Sequence, residues 1–508
     1  MTLPTHLKAP PEILVSEFSR FVAARTGLDF SAKERWPDLL RAVQSTGAEL
    51  GKKDAETTMR YFLNGTPNSA LLKRDMEILI KRLTVGETYF FRDPKAFEAL
   101  ERYVLPELID QRRDKKRLRI WSAACCTGEE PYSLAIVLNR MLPDIADWRI
   151  TIVATDINTE FLRKAERGVY REWSLRNASP ELRKRYFTKT ASGEFAILEK
   201  YKKMVRFGYL NLAENDYPSL ATDTNAMDLI LCRNVLIYFP VKQSKKVVER
   251  LQRSMVDDAW LLTSATEASQ SLLAPLTPVT FPGVIAYRKV AEPSSSTTKP
   301  ANISPAASLE SRHQFIAHKT VPALSANNLT QSKSEPQKAV RHLLKEANAA
   351  YRKGLYLEAS ELYERHLAAS SSDTATMTML ARSKANEGKL SEALRWCEKA
   401  IALDKLDPSF HHLRGSILQE QEKADEAIAS FRGALYLEPD YVLSHFSLGT
   451  LMRKQGRTRE ASTYFDNALR ILHKHRANDV LADASGLTAG RLAEIISSIK
   501  ELSSQAHE

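Results

Sequence analysis

The sequence predicts an α/β domain built on a parallel sheet, preceded by a small all-α domain and followed by a linker and an all-α repeat. Three observations support this prediction. Apolar, β-rich runs alternate with helical patterns from about residue 117 to 290, a segment rich in Ser, Pro, Thr and Ala follows, and alanines recur every 34 residues beyond it. The 508 residues suffice for several cores, because one core rarely grows beyond ~250–300 residues.

The first domain is predicted at residues 10–82, where apolar residues recur at intervals of three and four. Such spacing places them on one face of a helix. The helical segments are ILVSEFSRFVAARTGL, ERWPDLLRAVQSTGAEL, DAETTMRYFLNG and LLKRDMEILIKRLTV. The basic residues of the last segment, at 73–82, suggest a docking face for an acidic partner.

The α/β domain is predicted from five buried strands and a closing antiparallel edge. The strand candidates are 117–124, 148–156, 205–212, 227–235 and 259–266, and the edge is 278–290. Helical patterns separate several of them, as expected for parallel strands covered on both faces. Ligands of such sheets bind at the carboxyl ends of the strands, where the chain order reverses.

The turn after the first strand, CCTGEEP, is therefore the first candidate site. Its single Gly128 is a weak match to the dinucleotide fingerprint, which has three glycines. The second strand ends in Asp156, whose carboxylate can accept hydrogen bonds from both hydroxyls of a ribose and would repel phosphates. No Walker-type lysine follows the glycine. A nucleoside ligand without phosphates fits this pattern, and S-adenosylmethionine is one.

Composition narrows the function further. A hydrophobic fraction of 43% with 27% charged residues is typical of a soluble globular protein. We find no apolar run of the ~18–20 residues that span a bilayer and no secretory signal, so a cytoplasmic location is predicted, without membrane insertion. The four cysteines show neither zinc-ligand spacing nor a disulfide framework, so no metal is predicted.

The net charge of +11 does not by itself indicate nucleic-acid binding. Its densest cluster, QRRDKKRLR at 111–119, is read as a solvated loop before a strand, and no nucleic-acid signature accompanies it. We therefore predict no nucleic-acid partner. A basic surface also suits an acidic protein partner.

The C-terminal half contains an internal repeat. Residues 291–336 form the predicted flexible linker. Beyond it, an alanine recurs every 34 residues, at Ala359, Ala393, Ala427 and Ala461. Four residues after each alanine stands a large or apolar residue, in turn Tyr363, Cys397, Phe431 and Phe465. This register resembles the tetratricopeptide repeat, a helix-turn-helix unit that stacks into a superhelix and binds proteins in its groove. We predict four repeats at 337–475, and a capping helix and tail at 476–508. A structural or self-associating solenoid remains the alternative.

Five sequence blocks in the first half resemble the CheR family of chemoreceptor glutamate O-methyltransferases. The resemblance runs from about residue 13 to 290. It implies a Rossmann-like S-adenosylmethionine methyltransferase domain at 83–290, with a small β-subdomain inserted at about 171–204 that docks a receptor tail peptide in some members. The blocks are LTVGETYFFRDP at 83–94, RIWSAACCTGEEPYSLAI at 119–136, IVATDINTEFLRKAERGVY at 152–170, NLAE at 211–214 and DLILCRNVLIYFP at 228–240.

The resemblance also implies the site residues. Thr88 and Arg92 would contact the methionine end of the cofactor, Asp156 would bind its ribose, and either Glu129 or Glu130 would lie beside its amino or sulfonium group. Arg92 and Tyr238 would orient the incoming carboxylate. Gly86 stands where family members often have Asn. The cofactor-binding set is Gly86, Thr88, Arg92, Glu129, Glu130, Asp156, Asn211, Leu212, Arg233 and Asn234.

The resemblance thus predicts methyl transfer from S-adenosylmethionine to glutamates on the cytoplasmic helical domain of a chemoreceptor, giving methyl esters and S-adenosylhomocysteine. The repeats would bind another protein, and recruitment to membrane-bound receptor arrays is part of the expectation. One alternative keeps the cofactor but changes the acceptor to another protein or a small acid. In another alternative, the first half is a scaffold that only binds the cofactor, and the repeats in the second half carry the function of the protein. Cys125 and Cys126 are then expected to serve as small residues beside the cofactor rather than as a redox pair.

Overall fold

The computed structural model describes residues 10–66, 69–219, 222–269, 271–274, 276–290, 334–484 and 487–504. Along these residues an all-α part, an α/β part and an all-α repeat follow one another in the predicted order. The predicted linker at 291–336 lies outside the described residues up to 333, and its last three residues already belong to a helix that begins at Ser334.

Four amphipathic helices form the N-terminal part. Their buried faces meet in one core around Phe18, Leu39, Phe62 and Leu79, all fully buried. Tyr238 of the α/β part packs against this core, so the helices adjoin the edge of the sheet where the candidate site is predicted. The helices are α1 (Glu12–Thr26), α2 (Trp36–Glu49), α3 (Ala55–Asn64) and α4 (Ala70–Leu83).

Strands and helices alternate through the α/β part, as the apolar runs predict. A single π-helical segment at Leu100–Val104 joins the first two helices of this part. In chain order the elements are α5 (Pro94–Ala99), α6 (Leu105–Gln111), β1 (Arg117–Ala123), α7 (Glu129–Met141), β2 (Arg149–Asp156), α8 (Thr159–Arg167), β3 (Val169–Tyr170), α9 (Pro180–Tyr186), β4 (Phe187–Lys189), β5 (Phe195–Ile197), α10 (Glu199–Lys202), β6 (Val205–Tyr209), β7 (Met227–Cys232), α11 (Val241–Ser254), β8 (Met255–Leu262), β9 (Thr277–Phe281) and β10 (Val284–Arg288).

The main sheet has seven strands in the order β6-β2-β1-β7-β8-β10-β9. The first five are parallel, and the hairpin β9–β10 closes the sheet as an antiparallel edge. The chain order reverses at β1, which pairs with β2 on one side and β7 on the other. A separate antiparallel sheet, β3-β5-β4, lies where the small β-subdomain is predicted.

The last parallel strand differs from its prediction. It runs from Met255 to Leu262 rather than over 259–266. It ends early because the Glu267 carboxylate accepts a hydrogen bond from the Ser264 N–H at 3.0 Å, which turns the chain away from the sheet. An apolar run alone does not reveal such a turn.

Eight helices form antiparallel pairs after residue 334, and a ninth follows them in the described part of the chain. The alanines at 34-residue spacing are buried on the second helix of each pair, where their small size lets the paired helices approach closely. The helices are α12 (Ser334–Lys353), α13 (Tyr356–Ala369), α14 (Thr374–Asn386), α15 (Leu390–Leu403), α16 (Pro408–Glu420), α17 (Ala424–Leu437), α18 (Val442–Lys454), α19 (Thr458–Leu472) and α20 (Ala489–Ser504).

The repeats lie against the α/β part through ion pairs. Arg117 at the start of β1 contacts Glu420 at 3.1 Å, with both side chains largely buried. Arg453 of α18 contacts Glu166 of α8 at 3.6 Å. Among the described residues, we find no helix with both the length and the apolar character that crossing a membrane would need.

We expect Gly449→Ala to destabilise the repeats by about 1–3 kcal/mol, although Ala favours a helix by ~1 kcal/mol over Gly. The new Cβ would lie 2.5 Å from the Phe465 ring, so the two helices must move apart. The measurement is the denaturant dependence of amide exchange over residues 442–472.

Gly433→Ala is the matched control, because Gly433 is also inside a helix and its nearest neighbour, His411 Nδ1, would be 3.5 Å from the new Cβ. This variant should be neutral or slightly more stable. Equal effects of the two substitutions would contradict the packing explanation.

Candidate functional site

A pocket of about 950 Å³, counting the solvent at its mouth, opens at the carboxyl ends of β1, β2, β6 and β7. The loops after these strands form its floor, and the ends of α1 and α4 cover one side through Thr26, Leu28, Leu83 and Thr84. Its position at the reversal of strand order is the one predicted for a ligand site. Apart from Gly86 and Glu129, every predicted site residue lines it: Thr88, Arg92, Glu130, Asp156, Asn211, Leu212, Arg233, Asn234 and Tyr238.

The loop after β1 is tightly folded. Gly128 has a φ of +91°, and a Cβ there would lie 2.8 Å from the Ala165 side chain. Ala124 and Cys126 also adopt positive φ, at 62° and 51°. Helix α7 starts immediately after Gly128, so the loop passes from strand to helix within a few residues. The one glycine of this motif stands where a side chain would not fit.

Asp156 is buried at the end of β2 and holds two loops together. One carboxylate oxygen accepts the Cys126 N–H at 2.8 Å and the other accepts the Asn158 N–H at 2.8 Å. Burial raises the pKa of Asp156 to about 6, against the stabilising effect of the backbone N–H groups. Hydroxyl donors from a ligand would satisfy the lone pairs that remain.

The two adjacent glutamates of the first loop have different surroundings. Glu130 lines the pocket, accepts the Ser122 hydroxyl at 2.7 Å and pairs with Arg233 at 3.1 Å. Glu129 is buried behind the loop, accepts the Thr127 hydroxyl at 2.7 Å, and has its pKa raised by burial. Of the two, Glu130 is the one within reach of a ligand in the pocket.

Arg233 and Asn234 belong to the loop after β7. The Arg233 guanidinium is buried and also contacts Asp93 at 3.2 Å, so its charge is neutralised inside the protein. Asn234 adopts a φ of +59°. The buried carboxylate of Glu267 accepts the N–H groups of Asn234, Val235 and Leu236 at 2.6–2.7 Å.

Asn211 and Leu212 follow β6 on another side of the pocket. The Asn211 side-chain amide donates to the Arg25 carbonyl at 2.9 Å and to Glu214 at 3.0 Å, and its oxygen accepts the Ala213 N–H at 3.0 Å. The side chain is therefore engaged with the protein. A ligand beside Asn211 would contact its backbone.

Arg92 and Tyr238 both line the pocket and are only partly buried. Arg92 donates to the Glu87 carbonyl and has no carboxylate partner among the described residues. Its planar fork of donors suits a carboxylate ligand. Gly86 is not a lining residue, but a Cβ there would lie 2.8 Å from the ring of Phe161, which is one.

The adjacent cysteines line the pocket as thiols. Burial raises the pKa of both Cys125 and Cys126, and the negative charge of the nearby Asp156 raises both further. They are free cysteines, and no group of residues able to hold a metal is found in the described part of the chain.

The donor set fits a nucleoside whose other end carries a carboxylate. Asp156 can accept ribose hydroxyls, the apolar side chains of Ile157, Leu210 and Leu212 offer walls for a base, and Arg92 can bind a carboxylate. The Asp156 carboxylate at the ribose position would repel a polyphosphate. S-adenosylmethionine has each of these parts.

Sequence motifs miss some of the residues that shape the site. Glu267 follows β8 in a polar stretch and resembles any loop glutamate until its burial is seen. Thr26, Leu28, Leu83 and Thr84 reach the pocket only because helices α1 and α4 end beside the sheet. The sequence indicates Phe161 only weakly, because it lies in the same block as Asp156, at 152–170.

Comparison with known proteins agrees with this chemistry. Residues 86–275 match the CheR methyltransferase, SAM binding domain, and residues 344–409 and 408–441 match tetratricopeptide repeats. A chemotaxis protein methyltransferase of Borreliella burgdorferi is 32% identical over 220 residues, covering 43% of this chain and 75% of that protein. A probable chemotaxis protein methyltransferase of Rhizobium etli is 36% identical over 208 residues, covering 40% and 75%.

A third relative matches along nearly the whole chain. The probable biofilm formation methyltransferase WspC of Pseudomonas aeruginosa is 28% identical over 458 residues, which cover 90% of this chain and 99% of that protein. The match thus includes the repeats as well as the pocket. The chain belongs to the CheR family of S-adenosylmethionine-dependent methyltransferases and carries tetratricopeptide repeats after its methyltransferase domain.

Proposed function

We propose that this protein methylates glutamate side chains on the helical cytoplasmic domain of a chemoreceptor-type protein. The single observation that carries the proposal is the pocket itself, which is lined by Asp156 and by a partly buried Arg92 that has no carboxylate partner among the described residues. The names of the relatives support it, since two are chemotaxis protein methyltransferases.

The proposed reaction needs no general base. Bound S-adenosylmethionine supplies a methyl group already activated by its sulfonium centre. The acceptor carboxylate is ionised at neutral pH, its ordinary pKa being about 4.3. The residues that line the described pocket include no His or Lys, and burial keeps the two cysteines as thiols. Catalysis would then consist of alignment and partial desolvation of the acceptor.

We assign the pocket residues as follows. Asp156 binds the ribose, and Glu130 lies beside the amino or sulfonium group, with Arg233 fixing its orientation. Arg92 and Thr88 bind the methionine end, while Arg92 and Tyr238 orient the acceptor carboxylate. Ile157, the Asn211 backbone and Leu212 surround the adenine.

The acceptor face is proposed to include a cluster of Tyr89, Trp173 and Arg176 next to Arg92. The Arg176 guanidinium lies 3.6 Å from the Tyr89 ring centroid and 4.3 Å from that of Trp173, and Trp173 is 71% exposed. A cation held between aromatic rings suits an acidic helix. Arg176 also contacts Glu87, at the longer distance of 3.9 Å. The basic segment 73–82 is a weaker candidate, because Lys73 pairs with Glu494 at 3.2 Å and Arg82 pairs with Glu49.

We also propose a separate role for each part of the chain. Residues 83–290 would carry methyl transfer, 10–82 would complete the pocket, the repeats at 337–475 would bind a protein partner in their groove, and 476–508 would form a capping helix and tail. The match to WspC supports this proposal, because it covers 90% of this chain and so extends over the repeats as well as the pocket. The protein would then be cytoplasmic and would be recruited to membrane-bound receptor arrays.

The acceptor is tested with methyl-labelled S-adenosylmethionine and membranes containing chemoreceptors. We expect label on the receptor that mild base releases, because a carboxyl methyl ester hydrolyses readily. Asp156→Ala should abolish labelling, because the ribose contact and the contacts that hold the two loops are both lost. Label that resists base, or label only on a small acid added in place of the membranes, would contradict the proposed acceptor. Cofactor binding without any label would favour the scaffold alternative.

The ribose role of Asp156 predicts a pH dependence of cofactor-product binding. Burial raises the pKa of this carboxyl to about 6, so it is ionised above that pH and protonated below it. Because the ionised form is the better acceptor for hydroxyl donors, affinity should fall as pH falls through 6. We expect S-adenosylhomocysteine to bind roughly tenfold more weakly at pH 5 than at pH 7.

Titration calorimetry across this range measures the effect, and Asp156→Asn is the control. The variant should bind more weakly at pH 7 and show little dependence between pH 5 and 7. A profile that Asp156→Asn leaves unchanged would assign the titration to another group, such as Glu214, whose pKa burial raises to about 7.

The acceptor face predicts a separation of kinetic effects. Arg176→Ala should raise KM for the receptor about 5- to 30-fold, with kcat and S-adenosylhomocysteine affinity nearly unchanged. Arg171→Ala is the matched control, because Arg171 lies in the same segment with a highly exposed side chain paired to Glu194. Equal KM values for the two variants would remove Arg176 from the acceptor face.

A further inference from the structure

The C-terminal helix α20 inserts a buried arginine into the methyltransferase domain. Arg491 is 6% exposed, and its Nε lies 2.6 Å from an Asp216 carboxylate oxygen and 2.8 Å from one of Glu214. A second nitrogen pairs with Glu494 on the same helix at 2.7 Å. The guanidinium also lies 4.5 Å from the ring centroid of Tyr209, the last residue of β6.

The two acidic partners need this cation. Glu214 and Asp216 belong to the loop that follows β6, and burial raises the pKa of Glu214 to about 7 even with the arginine beside it. A buried carboxylate without a counter-charge either takes up a proton or moves towards water. Either response would change the hydrogen bonds that Glu214 makes to its neighbours.

One of those neighbours is a wall of the cofactor pocket. The second oxygen of Glu214 accepts the Asn211 side-chain amide at 3.0 Å, and the same amide donates to the Arg25 carbonyl at 2.9 Å. Asn211 and Leu212 line the pocket. Three consecutive contacts, each of 2.8–3.0 Å, thus join Arg491 to Glu214, Asn211 and the end of α1.

The same loop is also held from the opposite side. Arg250 donates to the Leu212 carbonyl at 2.8 Å, and Gln243 to that of Ala213 at 2.7 Å. These bonds hold the carbonyls of Leu212 and Ala213. Asn211, the lining residue before them, is held through its side chain, which bonds to Glu214 and to the Arg25 carbonyl beside the lining residue Thr26. Arg491 acts at this point, because it places the Glu214 side chain and thereby Asn211.

We propose that Arg491 is a positioning residue for the adenine side of the cofactor pocket, so that docking of the C-terminal helix and binding of cofactor strengthen each other. This inference rests on the proposed placement of the adenine beside Asn211 and Leu212. It makes the end of the repeat segment a part of the cofactor site, although Arg491 is 280 residues after Asn211 in sequence. Whatever loosens α20 would weaken cofactor binding.

The first test is calorimetric titration of the full-length protein with S-adenosylhomocysteine. Arg491→Met should bind at least about fivefold more weakly, the lower end of typical coupling between two sites. Arg491→Lys should fall between this variant and the native protein, because an ammonium group keeps the charge but not the planar guanidinium, whose Nε meets Asp216 and Glu214 while a second nitrogen meets Glu494. Arg457→Met is the matched control, because Arg457 is an exposed arginine of the repeats that pairs with its near neighbour Glu460.

The second test uses the native protein and therefore does not depend on the folding of any variant. Coupling is reciprocal, so saturating S-adenosylhomocysteine should slow amide exchange over residues 489–500 several-fold. A helix that only covers the domain would show no change when ligand binds. In Arg491→Met, if it folds, this ligand-dependent protection should disappear.

The outcomes separate this inference from the proposed function. Ligand binding to the native protein with unchanged exchange at 489–500 would overturn the coupling and leave the methyltransferase assignment intact. Arg491→Met binding as tightly as Arg457→Met would do the same. Failure of the native protein to bind S-adenosylhomocysteine would instead contradict the pocket assignment on which both proposals rest.

Discussion

The geometry of the site depends on one buried residue, Asp156, at the end of β2. Its carboxylate binds the Cys126 N–H from the β1 loop and the Asn158 N–H from its own loop, while its carbonyl accepts the Leu210 N–H from the β6 loop at 3.1 Å. Three loops therefore converge on it. A carboxylate buried this deeply is costly, and its raised pKa reflects that cost. Ligand hydroxyls would add donors to a group that still has lone pairs to satisfy.

Much of the fold follows from local sequence. Alternating apolar runs predict the parallel strands, because strands covered on both faces need continuous apolar stretches, and the 34-residue spacing of alanines predicts the helix pairs. The location of the site follows as well, since parallel strands place their carboxyl ends at one edge. An acidic residue at the end of β2 then predicts Asp156, and the pocket contains it.

The roles of neighbouring residues are harder to predict. Glu129 and Glu130 are adjacent on α7, so their side chains point about 100° apart, and only the packing of the helix decides which one meets the pocket. Glu267 acts through backbone N–H groups, which every residue except proline offers, so its partners leave no pattern in the sequence. The early end of β8 has the same cause, a hydrogen bond from the backbone N–H of Ser264 to Glu267.

The contacts between the repeats and the methyltransferase domain are the least predictable part. They join residues hundreds of positions apart, such as Arg117 with Glu420 and Arg491 with Asp216, and no periodicity connects them. Several arginines of this basic chain pair with acids there and are buried, although such pairs leave the net charge of +11 unchanged. A count of charged residues in a sequence therefore includes residues that are buried in ion pairs once the chain has folded.

The charge balance of the pocket bears on turnover in the proposed reaction. Arg233 pairs with both Glu130 and Asp93, so its positive charge is already balanced inside the protein, and Arg92 is the lining cation that remains available to carboxylate ligands. Methyl transfer would join a positive sulfonium and a negative carboxylate into two uncharged groups. The attraction of Arg92 for the acceptor, and that of the acceptor for the cofactor, would both be lost at that moment. The same electrostatics that align the reactants would therefore favour release of the ester.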